Sequence, residues 1–197
     1  MWDQRYAQPG YLFGTEPADF VRAQAGALAP GSRLLCVADG EGRNSVYLAG
    51  LGHQVTAFDA SAVALDKARA LAAEKGVSVD FRQSGIEDWD WSQPYDAVVG
   101  VFIQFTPPEL RAKLFGWMAQ AVAPGGLLLL HGYAPRQVDY GTGGPGDPAH
   151  MYTEDLLRDA FAGWEILRLE DYDREIDEGP GHSGLSALVD LVARKAG

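Results

Sequence analysis

Short apolar runs alternate with longer stretches of helical periodicity along most of the chain. The runs cover residues 33–38, 55–59, 77–82, 97–102 and 127–131. Strands that are apolar throughout are buried on both faces, as in a parallel sheet. A helical pattern over 44–51 follows the first run. Another, over 62–74, follows the second, with Ala64, Ala68, Leu71 and Ala72 on one face. Between the fourth and fifth runs, Thr106-Pro107-Pro108-Glu109 reads as a capping box with proline at the first helical position. Leu110, Leu114, Met118 and Ala121 recur behind it, and Pro124-Gly125-Gly126 ends that helix and turns the chain into the next strand. The alternation predicts a doubly wound, mostly parallel, Rossmann-like α/β fold.

The two ends add to this picture. Thr15 is expected to cap a helix over 16–27 outside the first strand. Near the other end, Tyr152-Thr153-Glu154-Asp155 opens a short helix to about residue 160. Strand patterns over 164–172 and 185–193 follow, joined by Glu178-Gly179-Pro180-Gly181-His182, which has turn chemistry. Two strands joined without a helix pair antiparallel or lie apart. The expected sheet therefore has seven strands, the last antiparallel. Segment 135–148 is the least structured, and no boundary or repeat divides the single domain expected over 1–197.

Composition narrows the functional classes. The 197 residues are 47% hydrophobic and carry a formal net charge of -11, which disfavours nucleic acid as a partner. The lone Cys36 excludes an intramolecular disulfide and points to a reducing compartment, the cytoplasm. The opening residues lack a basic region before an apolar run, so no signal peptide is expected. No apolar stretch approaches the ~20 residues that cross a bilayer, so no membrane partner is expected either. Four scattered histidines and one cysteine give no metal-ligand spacing. Oligomeric state is left open.

The candidate chemistry collects at strand ends. The first strand turns into a helix through Ala38-Asp39-Gly40-Glu41-Gly42-Arg43-Asn44-Ser45, where glycines let a ligand approach the backbone. Asp59 ends the second strand and can accept hydrogen bonds from both hydroxyls of a ribose; Ser61 is expected to cap the following helix and free it for that role. Ser84-Gly85-Ile86-Glu87-Asp88 follows the third strand, where Ile86 can pack on a base and Glu87 or Asp88 accept from its amine; a plain surface loop is the alternative. Val101, Phe102 and Gln104 close the fourth strand, with Gln104 the more informative polar residue. His131 closes the fifth, either as a proton acceptor or as a satisfied structural histidine.

The stretch Cys36-Val37-Ala38-Asp39-Gly40-Glu41-Gly42-Arg43-Asn44, with Asp59 and Pro124-Gly125-Gly126, resembles the class I S-adenosylmethionine-dependent methyltransferases. Residues 40–48, GEGRNSVYL, are similar to the tellurite-resistance and thiopurine methyltransferase-like branch. So are Trp2-Asp3-Gln4-Arg5-Tyr6 and Phe13-Gly14-Thr15-Glu16-Pro17. The resemblance implies S-adenosyl-L-methionine as cofactor and a small-molecule methyl acceptor, such as a thiol or another chalcogen nucleophile. It implies that Ala38, Asp39, Gly40 and Gly42 bracket the methionine and ribose, and that Asp59, beside Ala60, holds the ribose hydroxyls. Gly85, Ile86 and Glu87 would line the adenine side, with Val101 and Phe102 beside the sulfonium. Two positions depart from the family, Cys36 where an acid is common and Ala38 where the first glycine stands. Segment 1–30 and the loop at 133–150 are candidate lids. Arg5 and Arg43 are candidates for attracting an anionic acceptor, Arg43 having an ion pair with Glu41 or another acid as its alternative. Two other functions remain in view: a sensor or assembly protein that binds S-adenosylmethionine without turnover, and an NAD-dependent oxidoreductase. Ser45 in the third glycine position and the lack of a Tyr-x-x-x-Lys pair disfavour the oxidoreductase.

Overall fold

The computed structural model describes residues 2–197. The chain forms two compact units, Met1–Trp89 with Glu178–Gly181, and Asp90–Asp177 with His182–Gly197. The first opens with helices α1 (Trp2–Tyr6) and α2 (Asp19–Gln24), the latter continuing as a 3-10 turn over Ala25–Ala27. The apolar pattern does not predict α1, and α2 starts later than expected because Thr15 does not cap it. The N–H groups of Ala18 and Asp19 donate to Asn44 Oδ1 (2.9 Å) and Glu178 Oε1 (3.1 Å) instead. Distant side chains thus satisfy donors that a local cap would otherwise take.

Next come β1 (Arg33–Val37), α3 (Arg43–Gly50), β2 (Gln54–Asp59), α4 (Ala62–Lys75) and β3 (Asp80–Gln83). β1 pairs parallel with β2 from Arg33↔Gln54 to Val37↔Phe58, and β2 pairs parallel with β3 from Thr56↔Asp80. Four of the five β1 residues are buried, as a strand covered on both faces requires. Ser61 caps α4 as expected, its Oγ accepting from Ala64 N at 3.1 Å. Such a cap contributes about 1 kcal/mol. The predicted face of α4 is buried, Ala64, Ala68, Leu71 and Ala72 joined by Leu65. β3 begins later than the apolar run because Val77 and Val79 pack against Val46, Leu71 and Ala72 before the strand starts.

The second unit runs through β4 (Tyr95–Val101), α5 (Pro108–Ala121), β5 (Val122–Tyr133), α6 (Gln137–Tyr140), α7 (Glu154–Ala160), β6 (Glu165–Asp177) and β7 (Ser183–Arg194). Proline does stand at the first turn of α5, but the capping box is absent. Pro107 occupies the cap position without a side-chain bond, and Thr106 Oγ1 is buried with no hydrogen-bond partner. Pro124-Gly125-Gly126 lies within β5, because Gly125 N donates to Lys195 O and Lys195 N to Gly126 O, which extends the ladder. Thr153 caps α7 through Leu156 N at 3.1 Å. Helix α6 occupies part of the segment expected to lack structure.

β4 and β5 pair parallel, whereas β5–β7 and β6–β7 pair antiparallel, which gives the expected terminal hairpin. β6 extends past residue 172 to Asp177 through an exposed, charge-rich stretch that hides its strand character in the sequence. The full strand order is β3-β2-β1-β4-β5-β7-β6, a seven-stranded, mostly parallel Rossmann-like sheet with flanking helices. No helix among the described residues is long and apolar enough to cross a membrane.

Candidate functional site

In the first unit, the end of β1 and the end of β2 are tied together by one carboxylate. Asp59 Oδ2 accepts from Gly40 N at 2.9 Å, and Asp59 Oδ1 accepts from Ser61 N at 2.8 Å. Ser61 therefore caps α4 without leaving Asp59 unengaged. A carboxylate has about four acceptor positions, so capacity remains for a diol. Burial pushes the Asp59 carboxyl up, against the pull of the Ser61 and Gly40 N–H groups.

Turn geometry explains the residue types around it. Ala38 has φ 46°, a left-handed conformation that costs a residue with a Cβ roughly 1–2 kcal/mol. Gly40 has φ 59°, and a Cβ there would lie 2.8 Å from the Tyr6 hydroxyl. Gly42, at φ 87°, sits where a Cβ would lie 2.7 Å from Ala68 Cβ, so it sets the close approach of α3 to α4. Asp39 accepts from Ser45 Oγ. Burial pushes the Asp39 carboxyl up to about 7 against that hydrogen bond, and the Asp59 charge adds to the push. The 84–88 loop adjoins this turn, since Ser84 N donates to Asp59 O at 3.0 Å. Within it Gly85 O accepts from Asp88 N, Ile86 is buried and Glu87 is exposed. Ala60 is exposed, its carbonyl accepting from Gln83 Nε2.

The N-terminal segment lies against the same turn. Lys67 Nζ donates to Gln8 O (2.8 Å), Gly10 O (2.6 Å) and Glu41 Oε1 (2.9 Å), while Glu41 Oε2 accepts from Leu12 N at 2.7 Å. Asp3 Oδ1 accepts from Ser61 Oγ, and Tyr6 is buried against Gly40. Burial and the nearby Asp59 and Glu41 push the Tyr6 hydroxyl upward. Arg43 forms a buried ion pair with Glu178 at 2.9 Å, not with Glu41. Arg5 is exposed and stacks on the Trp2 ring at 4.6 Å. Cys36 is buried, and burial raises its thiol well above its usual value, which removes it as a nucleophile.

In the second unit, Val101 pairs with His131, and Phe102 N donates to His131 O at 2.8 Å. Phe102 has φ 55°; among the described residues it and Ala38 are the non-glycine positions with positive φ. The His131, Tyr133 and His182 rings lie 4.8, 4.7 and 4.1 Å from the Phe102 ring. His131 is buried, with Nδ1 2.6 Å from Asp190 Oδ1. Asp190 also accepts from Arg168 Nε at 2.9 Å and Tyr172 OH at 3.1 Å. Burial raises the Asp190 carboxyl, but His131 and Arg168 outweigh it and hold Asp190 below the usual carboxylate range. Gln104 is buried and clamps backbone, with Nε2 on Tyr133 O (2.8 Å) and Oε1 accepting from Tyr133 N (2.7 Å). Its polarity thus serves the end of β5.

Sequence reasoning missed Lys67, Glu178, His182 and Asp190. Glu178 and His182 read only as turn residues, and Asp190 lay in a strand pattern. Among the described residues no group of three or more His, Cys, Asp or Glu side chains is placed to hold a metal.

Residues 34–126 match the family model described as a methyltransferase domain, a span that includes both glycines and Asp59. A ubiquinone biosynthesis O-methyltransferase from Xanthomonas campestris pv. campestris is 34% identical over 133 residues, 66% of this chain and 54% of that protein. The chain thus spans about half the length of that relative. A thiopurine S-methyltransferase from Pseudomonas putida is 27% identical over 195 residues, covering 85% of this chain and 83% of that protein. The solved structure of TehB from Haemophilus influenzae has a TM-score of 0.73 at 21% identity, covering 98% of this chain and 65% of TehB, and shares the fold. In its domain match, in the relatives it resembles and in its sheet topology, the chain is thus similar to S-adenosylmethionine-dependent methyltransferases.

Proposed function

We propose that this chain transfers a methyl group from S-adenosylmethionine to a small-molecule acceptor, with a thiol or another chalcogen as the reacting atom. The observation that carries this reading is the Asp59 carboxylate, fixed by Gly40 N and Ser61 N with acceptor capacity remaining for a ribose diol. The residues fit the cofactor: a side-chain-free backbone at Gly40, an acidic acceptor at a strand end, and the adjoining 84–88 loop. In this reading Ala38, Asp39, Gly40 and Gly42 bracket the ribose and methionine. Asp59 and Ala60 take the ribose, and Gly85, Ile86 and Glu87 the adenine. For Val101 and Phe102, a ligand-facing role is supported by the left-handed backbone of Phe102, since such strain collects where ligands bind.

The cofactor, when bound, supplies a methyl group already activated on a sulfonium. The residues then need mainly to align the acceptor and exclude water. Segment 1–30 acts as a lid in this reading, supported by the Lys67 and Asp3 contacts that hold its first half. Arg5 keeps the role of attracting an anionic acceptor, whereas Arg43 is committed to Glu178. The thiopurine relative's name supports a sulfur acceptor. The lone buried Cys36 fits a reducing, cytoplasmic setting.

Calorimetric titration with S-adenosylhomocysteine and with NADH, on wild type and Asp59→Ala, tests the reading. Saturable binding of the first, weakened at least tenfold in the variant and absent for NADH, is expected. Binding of NADH alone would replace it with the oxidoreductase reading. Binding of S-adenosylhomocysteine without transfer of labelled methyl to any of a panel of thiols and phenols would favour a sensor.

A further inference from the structure

Helix α1 is five residues long, too short to hold its shape alone in water. Among residues 2–16 only Tyr6 is buried. Two side chains of this helix land on the two residues that fix Asp59. The Tyr6 hydroxyl lies 2.8 Å from where a Gly40 Cβ would stand, and Asp3 Oδ1 accepts from Ser61 Oγ. Gly40 N and Ser61 N are the donors to the Asp59 carboxylate. The helix therefore borders the place where Asp59 has acceptor capacity left.

The chain behind α1 is fastened by one lysine. Lys67 Nζ donates to Gln8 O, Gly10 O and Glu41 Oε1 at 2.6–2.9 Å, and Lys67 O accepts from Tyr11 OH at 3.2 Å. Lys67 stands on α4, the helix that Ser61 caps. Leu12 is pinned twice, its N–H donating to Glu41 Oε2 and its carbonyl accepting from Gly181 N at 2.9 Å. Residues 2–11 thus form a strap whose fixed end is Leu12. Gly10, at φ 78° with open space around it, stands just before that end. A segment held by a few polar bonds, with little apolar surface buried, opens at low free energy, as elements that gate ligands must.

Resting on the methyl-transfer reading above, we propose that this strap gates the cofactor, with Tyr6 touching the ribose through its hydroxyl and Lys67 as the positioning residue that holds the strap shut. The ligand class is an adenosyl group with an unblocked ribose diol. Asp59 accepts from that diol, and the Tyr6 hydroxyl, which both donates and accepts, engages it from the strap. The strap therefore acts on the methyl donor and its product, beyond covering an acceptor. Cofactor enters and product leaves only when Lys67 lets go of Gln8 and Gly10. Linkage runs both ways: a bound adenosyl group favours the closed strap by the same factor as the closed strap favours the adenosyl group.

The bond between Arg5 and Tyr6 is a tryptic site inside α1, and a protease must unwind the helix to reach it. Its cleavage rate, read by mass spectrometry, therefore reports the open strap. Saturating S-adenosylhomocysteine is expected to slow this cleavage about tenfold or more. Lys67→Met combined with Glu41→Gln removes the latch without stranding the buried Glu41 carboxylate. This variant is expected to speed both cleavage of the free protein and release of labelled S-adenosylhomocysteine about tenfold or more, since hydrogen bonds from a charged donor are lost. Lys67→Arg, which keeps the charge, is expected to stay within about threefold of wild type on both readouts. Tyr6→Phe is expected to weaken S-adenosylhomocysteine about threefold or more while cleavage of the free protein holds within about twofold. A latch variant that releases the ligand at the wild-type rate overturns the proposal, and unchanged affinity in Tyr6→Phe overturns the Tyr6 contact. If the latch variant fails to fold, the ligand's effect on wild-type cleavage and the Tyr6→Phe affinity decide. Failure of wild type to bind S-adenosylhomocysteine overturns the cofactor reading and this proposal with it. Binding that leaves the Arg5–Tyr6 bond equally open to trypsin overturns this proposal alone.

Discussion

Replacing Glu178 by glutamine removes one charge from a buried pair and leaves the chain otherwise almost isosteric. Arg43 and Glu178 meet at 2.9 Å, with side chains only 7% and 5% exposed. Arg43 Nη1 has no hydrogen-bond partner, so beyond the charge interaction with the raised Asp39 carboxyl little compensates the guanidinium when the carboxylate is lost. Removing one member of a buried pair costs about 3–5 kcal/mol, because it strands the other charge. The bond from Asp19 N to Glu178 Oε1 survives if the amide oxygen takes the same position, so the loss isolates the charge. At about 2–4 °C per kcal/mol for a chain of this size, Glu178→Gln is expected to lower Tm by roughly 6–20 °C. The Arg43→Met, Glu178→Gln double variant removes both charges and is expected to recover part of that loss, since no stranded charge remains. Thermal and urea unfolding of the four proteins supplies the cycle. A single-variant loss below about 1 kcal/mol, or a double variant no better than Glu178→Gln, would refute the charge argument. The cycle bears on function as well. If Arg43 is held by Glu178, Arg43→Met should leave the KM for an anionic acceptor unchanged relative to a neutral one.

Two further outcomes follow from the turn after β1. Ala38→Gly relieves a φ of 46° but adds freedom to the unfolded chain, and is expected to stabilise by about 0.5–1 kcal/mol net in urea unfolding; a loss of stability would mean that the Ala38 methyl packs more than it strains. Asp39 is an acid whose folded value is raised to about 7 from 3.8, so the folded state holds its proton longer than the unfolded state. Its contribution is favourable below about pH 4 and is lost as pH rises toward 7. Asp39→Asn should therefore gain Tm relative to wild type between pH 5 and pH 8, and a variant whose Tm difference is independent of pH would show that Asp39 ionises normally.

The parallel half of the sheet was legible because its constraints are local. A strand covered on both faces must be apolar throughout, and Ser61, Gly40 and Gly42 each serve a bond or a φ angle within a few residues of themselves. The same locality made Asp59 readable, because a strand-end acid at that distance from Gly40 serves one turn. The failures share the opposite property. Thr15 and Thr106 looked like caps by spacing alone, yet Asn44 caps Ala18 from 26 positions away and Glu178 caps Asp19 from 159. No window of sequence contains both members of such a pair. Pro124-Gly125-Gly126 read as a helix stop, but its partner Lys195 sits at the other end of the chain and draws it into the ladder.

This asymmetry also explains why the cofactor was easier to name than the acceptor. A dinucleotide-type turn binds with backbone, and backbone demands left-handed angles and missing Cβ atoms, which leave glycines in order along the sequence. The Phe102 cluster is built instead of side chains drawn from the end of β4, from β5 and from the residue that follows a turn. Phe102 sits in a left-handed conformation without a glycine to announce it. His131 and His182 look alike as letters, and only the structure separates their Nδ1 partners, Asp190 and the Tyr133 hydroxyl. Acceptor specificity in such a chain is therefore expected to follow substitutions at Phe102, Tyr133 and His182 more than any change in the glycine turn. Exchanging Tyr133 for phenylalanine should alter the ranking of thiols by turnover while the affinity for S-adenosylhomocysteine holds. A ranking that stays fixed while that affinity falls would place Tyr133 with the cofactor instead.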